Sequence, residues 1–114
     1  MTDCIFCRIA SGEIPARFAA KADNAVAFFD LNPQAPTHVL VIPTRHLDGA
    51  GSVGSDDLSV WGDLMALATQ VARDLEIADS GYRLVVNQGR NGGQSVGHLH
   101  VHLLGGRKMS WPPG

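Results

Sequence analysis

The sequence predicts an α+β fold, one long helix packed on an antiparallel sheet, and two patterns carry that prediction. His98-Leu99-His100-Val101-His102 alternates imidazole with aliphatic side chains, which is the period of a strand. Leu58, Trp61, Met65, Ala68, Ala72 and Leu75 recur at spacings of three and four, the period of a helix with one buried face. With 114 residues the chain can bury a core without disulfides, and it reads as one domain over residues 1–114.

The elements follow in order. Cys4 to Ala10 predicts a short helix, stopped near Gly12. Asn24 to Phe29 reads as a strand, and Asp30 to Thr37 as a loop punctuated by Pro33 and Pro36. His38 to Ile42 is a second strand, closed by Pro43. After a Gly- and Ser-rich loop, Ser55 is placed to cap the long helix, with Asp56 and Asp57 in its first turn. Tyr82 to Val86 is a third strand. Asn87 to Gly97 is a glycine-rich loop that feeds the histidine strand.

Composition excludes several classes. A hydrophobic content of 45% against 18% charged residues describes a globular protein rather than a disordered one. The net charge of −2 leaves no basic footprint for nucleic acid. No apolar run approaches the roughly 20 residues of a membrane span, and Met1-Thr2-Asp3-Cys4 does not open a signal peptide. A cytoplasmic address is expected, where Cys4 and Cys7 stay reduced.

The histidine run is the candidate site. In a regular strand, Leu99, Val101 and Leu103 face a core while the three imidazoles share the other face, about 7 Å apart. The preceding loop carries glycines whose backbone amides can converge on an anion, with Ser95 as a hydroxyl donor. It lacks the spacing of a Walker loop, and without the histidines a plain hairpin connection would be the better account of it.

At this point the chain resembles a known family. His98-Leu99-His100-Val101-His102-Leu103-Leu104 is similar to the histidine triad signature. The resemblance extends over Phe6 and Ile9, Glu13-Ile14-Pro15-Ala16, Asp30, Pro33-Gln34-Ala35-Pro36-Thr37-His38 and Val41-Ile42-Pro43. It continues through Gly92-Gly93-Gln94-Ser95-Val96, Gly105-Gly106-Arg107 and Trp111-Pro112-Pro113-Gly114. Those endings are typical of the nucleotide-binding branch, which includes purine nucleoside phosphoramidases. Diadenosine polyphosphate hydrolases instead carry a Pro-Arg pair after the triad, where Gly105 and Gly106 stand here.

The resemblance implies a sheet of about five strands with one long and one short helix, and a homodimer with one continuous sheet. It implies hydrolysis of nucleoside 5′-phosphoramidates through a nucleotidyl-histidine at His100. His98, His102, His38 and Ser95 support that chemistry. The nucleotide site falls on Phe6, Ile9, Ile14 and Leu31 for the base and Asp30 for the ribose. Asn87 matches the polar wall of that base pocket, and Gly93, Ser95, His100 and His102 complete the site around the phosphate. Purine nucleoside monophosphates and phosphoramidates are the implied ligands, with no cofactor needed for the chemistry. The Trp111–Gly114 segment is implied to lie near the partner subunit's active site. Ser110 and Gly97 depart from the residues common in the family, histidine and tyrosine, which bears on the leaving group.

Cys4 and Cys7 are read separately. No strand precedes the pair, so a thioredoxin-like role does not fit. Two inert buried thiols are the plain alternative. The sharper reading is a structural Zn²⁺ site closed by His46 and His98, as in several members of the resembled family. Two competing readings remain open from sequence. One is a catalytic zinc held by His98, His100 and His102, which needs a bend because their ends lie roughly 13 Å apart on a straight strand. The other is a nucleotide-binding regulatory or scaffold protein that performs no chemistry.

Overall fold

A computed structural model describes residues 3–114; Met1 and Thr2, on which part of the signal-peptide reading falls, lie outside the described residues. The elements are α1 (Ile5–Ala10), β1 (Phe18–Lys21), β2 (Ala25–Phe29), β3 (Thr37–Pro43), α2 (Ser59–Asp74), β4 (Tyr82–Val85), α3 (Gly89–Gly92) and β5 (Val101–Gly105). The strands form a sheet in the order β1-β2-β3-β5-β4, every neighbour antiparallel. The expected architecture is therefore present.

Alternation along the strands divides the core into two layers. Ala25, Ala27, Val39, Val41, Val101 and Leu103 face α2, where Leu64, Leu67, Ala68, Val71 and Ala72 meet them. Val26, Phe28, Leu40 and Ile42 point to the other face and pack with Phe6 and Ile9 of α1. Because side chains two apart share a face, His38 on β3 and His102 on β5 stand on this second side. Leu40 pairs with His102 and His38 with Leu104, so the two histidines are diagonal neighbours across the strands.

Several sequence expectations change. The histidine strand starts only at Val101, and His98 to His100 precede it in irregular backbone. The three rings do not form an even row: His100 and His102 lie 4.9 Å apart between centroids, while the His98 ring turns toward Cys4 and Cys7. Ser55 does not cap α2; Ser55–Asp57 makes a separate 3₁₀ turn, and Leu58 precedes the helix without a side-chain cap. The buried line of α2 is rotated from the expected one: Leu64, Leu67 and Val71 join Ala68 and Ala72, while Trp61, Met65 and Leu75 are half-buried and Leu58 is exposed. The apolar stripe is wide enough that spacing alone did not select its centre. β1, unforeseen, adds an edge strand whose Ala19 and Ala20 carry little pattern. Within the glycine-rich loop, Gly89–Gly92 forms one helical turn, ended by Gly93 in the left-handed region at φ 77°.

Candidate functional site

His100 is fixed by a carbonyl. Its Nδ1 lies 2.7 Å from the backbone oxygen of His98. A carbonyl only accepts, so Nδ1 carries the proton and a neutral His100 has its lone pair on Nε2. The ring is buried and meets the edge of Phe6 at 5.3 Å between centroids. This is a nucleophile's tautomer, with the opposite nitrogen held by a fixed acceptor.

His102 has the complementary arrangement. The Gln34 amide donates to His38 Nδ1 at 3.0 Å, which places the proton of a neutral His38 on Nε2. That nitrogen lies 2.9 Å from His102 Nδ1, so His102 accepts there and carries its own proton on Nε2. Burial, with His100 and His38 close by, lowers the His102 pKa to about 4, so the ring is neutral at pH 7. Burial also lowers His38, against the pull of Asp30. Asp30 Oδ2 sits 3.4 Å from His38 Nε2, and its Oδ1 accepts from the Asn32 amide at 2.8 Å. Arg107 donates to the Gln34 carbonyl from Nη2 at 3.1 Å and Nε at 3.3 Å, bracing this loop from the turn after β5.

Asp30, His38 and His102 are close enough to suggest a cation site. The tautomers argue against it. A metal would need the lone pair of His38 Nε2, yet the Gln34 amide already occupies the Nδ1 lone pair. His38 and His102 are joined by a hydrogen bond, and the Asp30 carboxylate lies beside it.

A second cluster joins Cys4, Cys7, His46 and His98. Cys4 caps α1, its sulfur accepting from the Cys7 amide at 3.4 Å, so one short helix presents both thiols. His98 Nε2 donates to the Pro43 carbonyl at 3.0 Å, and His46 Nε2 donates to Asp48 Oδ1 at 2.8 Å. Both Nδ1 atoms are thus left as lone pairs, and they face one another at 3.1 Å. Cys4 Sγ lies 3.3 Å from His98 Nδ1, and Cys7 Sγ lies 3.2 Å from His46 Nδ1 and 3.5 Å from His98 Nδ1. Tetrahedral zinc bonds of standard length put two nitrogens about 3.3 Å apart and nitrogen and sulfur about 3.6 Å apart. Converging lone pairs at those separations, each ring held by an outer acceptor, fit structural zinc. Burial pushes the Cys4 thiol up, but hydrogen bonds from Cys7, Phe6 and His46 together leave its pKa below the ordinary value. The hydrogen bond to Asp48 raises the His46 pKa, which makes it a stronger donor to a cation.

This arrangement overturns the reading of one catalytic metal held by His98, His100 and His102. His98 turns toward the cysteines, and His100 Nδ1 is engaged by backbone, so the three do not converge.

A cavity of about 300 Å³ opens on the α1 side of the sheet. Phe6, Ile9, Ile14, Phe28, Leu31 and Leu40 give it apolar walls, while Asp30, Ser95, His100 and His102 supply polar groups. That size and mix suit a small ligand with an aromatic part and an anionic end. Asn87 and Gly93 are not among its lining residues. Sequence reasoning missed Gln34, Asp48 and Arg107. Gln34 acts through its backbone amide and carbonyl, which no side-chain pattern announces.

A HIT domain matches residues 11–109. An uncharacterized HIT-like protein of Synechocystis is 48% identical over 112 residues, covering 98% of this chain and 97% of that one. A maize protein named 14 kDa zinc-binding protein is 46% identical, covering 96% of this chain and 87% of its own. The crystal structure of a HIT family hydrolase from Legionella pneumophila superposes with a TM-score of 0.95 at 46% identity, covering 98% of this chain and all of that one. A histidine triad protein from Clostridium difficile gives 0.94 at 38% identity, covering 96% of each chain. By domain match, relatives and superposition, the chain belongs to the HIT family.

Proposed function

We propose that this chain is a nucleotide-binding hydrolase that cleaves the P–N bond of purine nucleoside 5′-phosphoramidates. One observation carries the reading: His100 and His102 line the same cavity with opposite tautomers, a lone pair on one Nε2 and a proton on the other. His100 Nε2 attacks the α-phosphorus and the amine leaves, giving a nucleotidyl-histidine. The His98 carbonyl, accepting from Nδ1–H, stabilises the positive charge the ring acquires. His102 Nε2–H and Ser95 donate to the phosphoryl oxygens, as preorganised donors do in such transfers. The departing amine takes its proton from solvent as the P–N bond breaks. Water then attacks phosphorus, the bond to His100 breaks with its electron pair returning to Nε2, and the water's protons pass to solvent as the nucleoside monophosphate is released.

Asp30 accepts from the ribose hydroxyls, and Phe6, Ile9, Ile14 and Leu31 enclose the base. Asn87 and Gly93 act through the loop that carries Ser95. Cys4, Cys7, His46 and His98 hold a structural zinc that cross-links α1 to the segments after β3 and before β5, which adjoin at one end of the sheet. The reaction takes place in a cytoplasmic homodimer of one domain per chain, 1–114. The half-exposed Trp61 and Met65, and the position of β4 at the sheet edge, support dimerisation through α2 and β4.

The test is hydrolysis of a fluorogenic adenosine 5′-phosphoramidate by the wild type and by His100→Ala, with AMP binding followed by calorimetry. Turnover by the wild type alone, with AMP bound by both, is the expected result. AMP binding without turnover in the wild type would overturn the enzymatic reading. Equal turnover in the two proteins would overturn the role of His100.

A further inference from the structure

Two glutamine amides join the segment after His46 to the segment before the histidines. Gln94 Nε2 donates to the Asp48 carbonyl at 2.7 Å and to the Val96 carbonyl at 3.0 Å. Its Oε1 accepts from the Gly89 amide at 2.9 Å. Gln88 Oε1 accepts from the Gly51 amide at 2.7 Å beside it. The fit is close: a Cβ on Gly49 would stand 2.6 Å from Gln88 Oε1 and 3.1 Å from both amide atoms of Gln94.

Asp48 belongs to both sides of this junction. Its carboxylate accepts from His46 Nε2, and its carbonyl accepts from Gln94. Ser95 sits between Gln94 and Val96, the two residues this amide ties down. The candidate metal centre and the loop facing the phosphate end of the cavity are therefore two hydrogen bonds apart, through named atoms.

We propose that Gln94 is a positioning residue that ties the Ser95 loop to the Cys4–Cys7–His46–His98 centre, so that metal occupancy and nucleotide affinity rise together. The nucleotide half of this rests on the function proposed above. An ordered Asp48 holds His46 Nε2 and so its Nδ1 toward the centre, and the same carbonyl holds the loop. Coupling of this kind is reciprocal: whatever factor the metal adds to nucleotide affinity, the nucleotide returns to metal affinity.

The experiment measures zinc affinity by competition with a chromogenic chelator, with and without AMP, for the wild type and Gln94→Met. In the wild type, AMP tightens zinc by about fivefold or more, the low end of ordinary coupling. Gln94→Met keeps the side-chain length but makes no hydrogen bonds. Its zinc affinity falls about tenfold, as for loss of an outer-shell partner, and AMP no longer alters it. Unchanged zinc affinity in Gln94→Met, or coupling that persists there, overturns the proposal. The absorption spectrum of the Co²⁺-substituted protein reports whether the site is still assembled. If Gln94→Met loses that spectrum altogether, Gln94→Glu, which keeps the acceptor to Gly89, is judged by the same two criteria. A wild type that binds no AMP overturns the nucleotide reading instead, and the tie to the metal centre is then decided by zinc affinity alone.

Discussion

The backbone carbonyl of His98 accepts the Nδ1 proton of His100 at 2.7 Å, while the His98 side chain converges with Cys4, Cys7 and His46. One residue thus serves two neighbours, with its ring in the cluster and its carbonyl on the candidate nucleophile. His98→Ala should lose metal and also slow hydrolysis, although the deleted ring touches no substrate. The expected loss is about tenfold or more in kcat, comparable with other outer-shell losses around metal ligands. Metal content and kcat measured on the same preparation check it. An unchanged kcat in metal-free His98→Ala would mean that the sheet alone holds that carbonyl.

Acid should weaken the fold through His102. Its pKa is about 4 in the folded chain, against 6.5 for the unperturbed group. Between those values the unfolded state binds the proton more readily, so stability rises with pH over that window and is lost as pH falls through it. His38 and His98 are lowered by burial and act in the same direction, whereas His46, raised by Asp48, opposes them. Melting temperatures from pH 7.5 to 4.5 should fall steadily below about pH 6.5, and His102→Gln should show a shallower fall. A variant as pH-sensitive as the wild type would remove His102 from this account.

Chelation should expose the contribution of the cysteine pair. A ligand that binds only the folded state stabilises it by mass action, about 4 kcal/mol at a thousand times its dissociation constant. Excess zinc should therefore raise the melting temperature of the metal-depleted wild type, and a strong chelator should lower it again. Cys7→Ser should respond weakly to both, because Cys7 Sγ approaches both His46 and His98. Matching responses from the two proteins would show that the stabilising site lies elsewhere.

Which side chains gather was more legible in the sequence than the backbone that gathers them. Alternation identified Leu99, Val101 and Leu103 as core residues, and all three are buried. The same alternation wrongly extended β5 back to His98, because side-chain period does not reveal which backbone groups pair. Cys-x-x-C with two histidines suggested a metal set, and the fold brings all four together. The tautomers of His38, His100 and His102 could not be read in advance. They depend on the Gln34 amide and the His98 carbonyl, groups that every residue carries. The helix stripe failed for a different reason: α2 has more apolar positions than the sheet can cover, so its buried line depends on the sheet beneath it.

Gly105 offers a test of the packing that seats β5. It ends the strand, pairing with Thr37 of β3 and Tyr82 of β4. A Cβ there would stand 2.6 Å from Ile77 Cδ1 and 3.2 Å from Ile77 Cβ. The methyl end can swing, but the Cβ belongs to a buried residue of the main core and cannot retreat far. Gly105→Ala should therefore cost about 1–3 kcal/mol by overpacking. That corresponds to roughly 3–6 °C in Tm for each kcal/mol at this chain length. Ile77→Val deletes Cδ1 and relieves the nearest clash, so the double variant should lose less stability than the two single losses combined. Thermal melts of all four proteins give the interaction energy, which should be favourable. Simple additivity would mean that the strand end moves away from Ile77, and the geometry of the His100–His102 pair would then be expected to move with it.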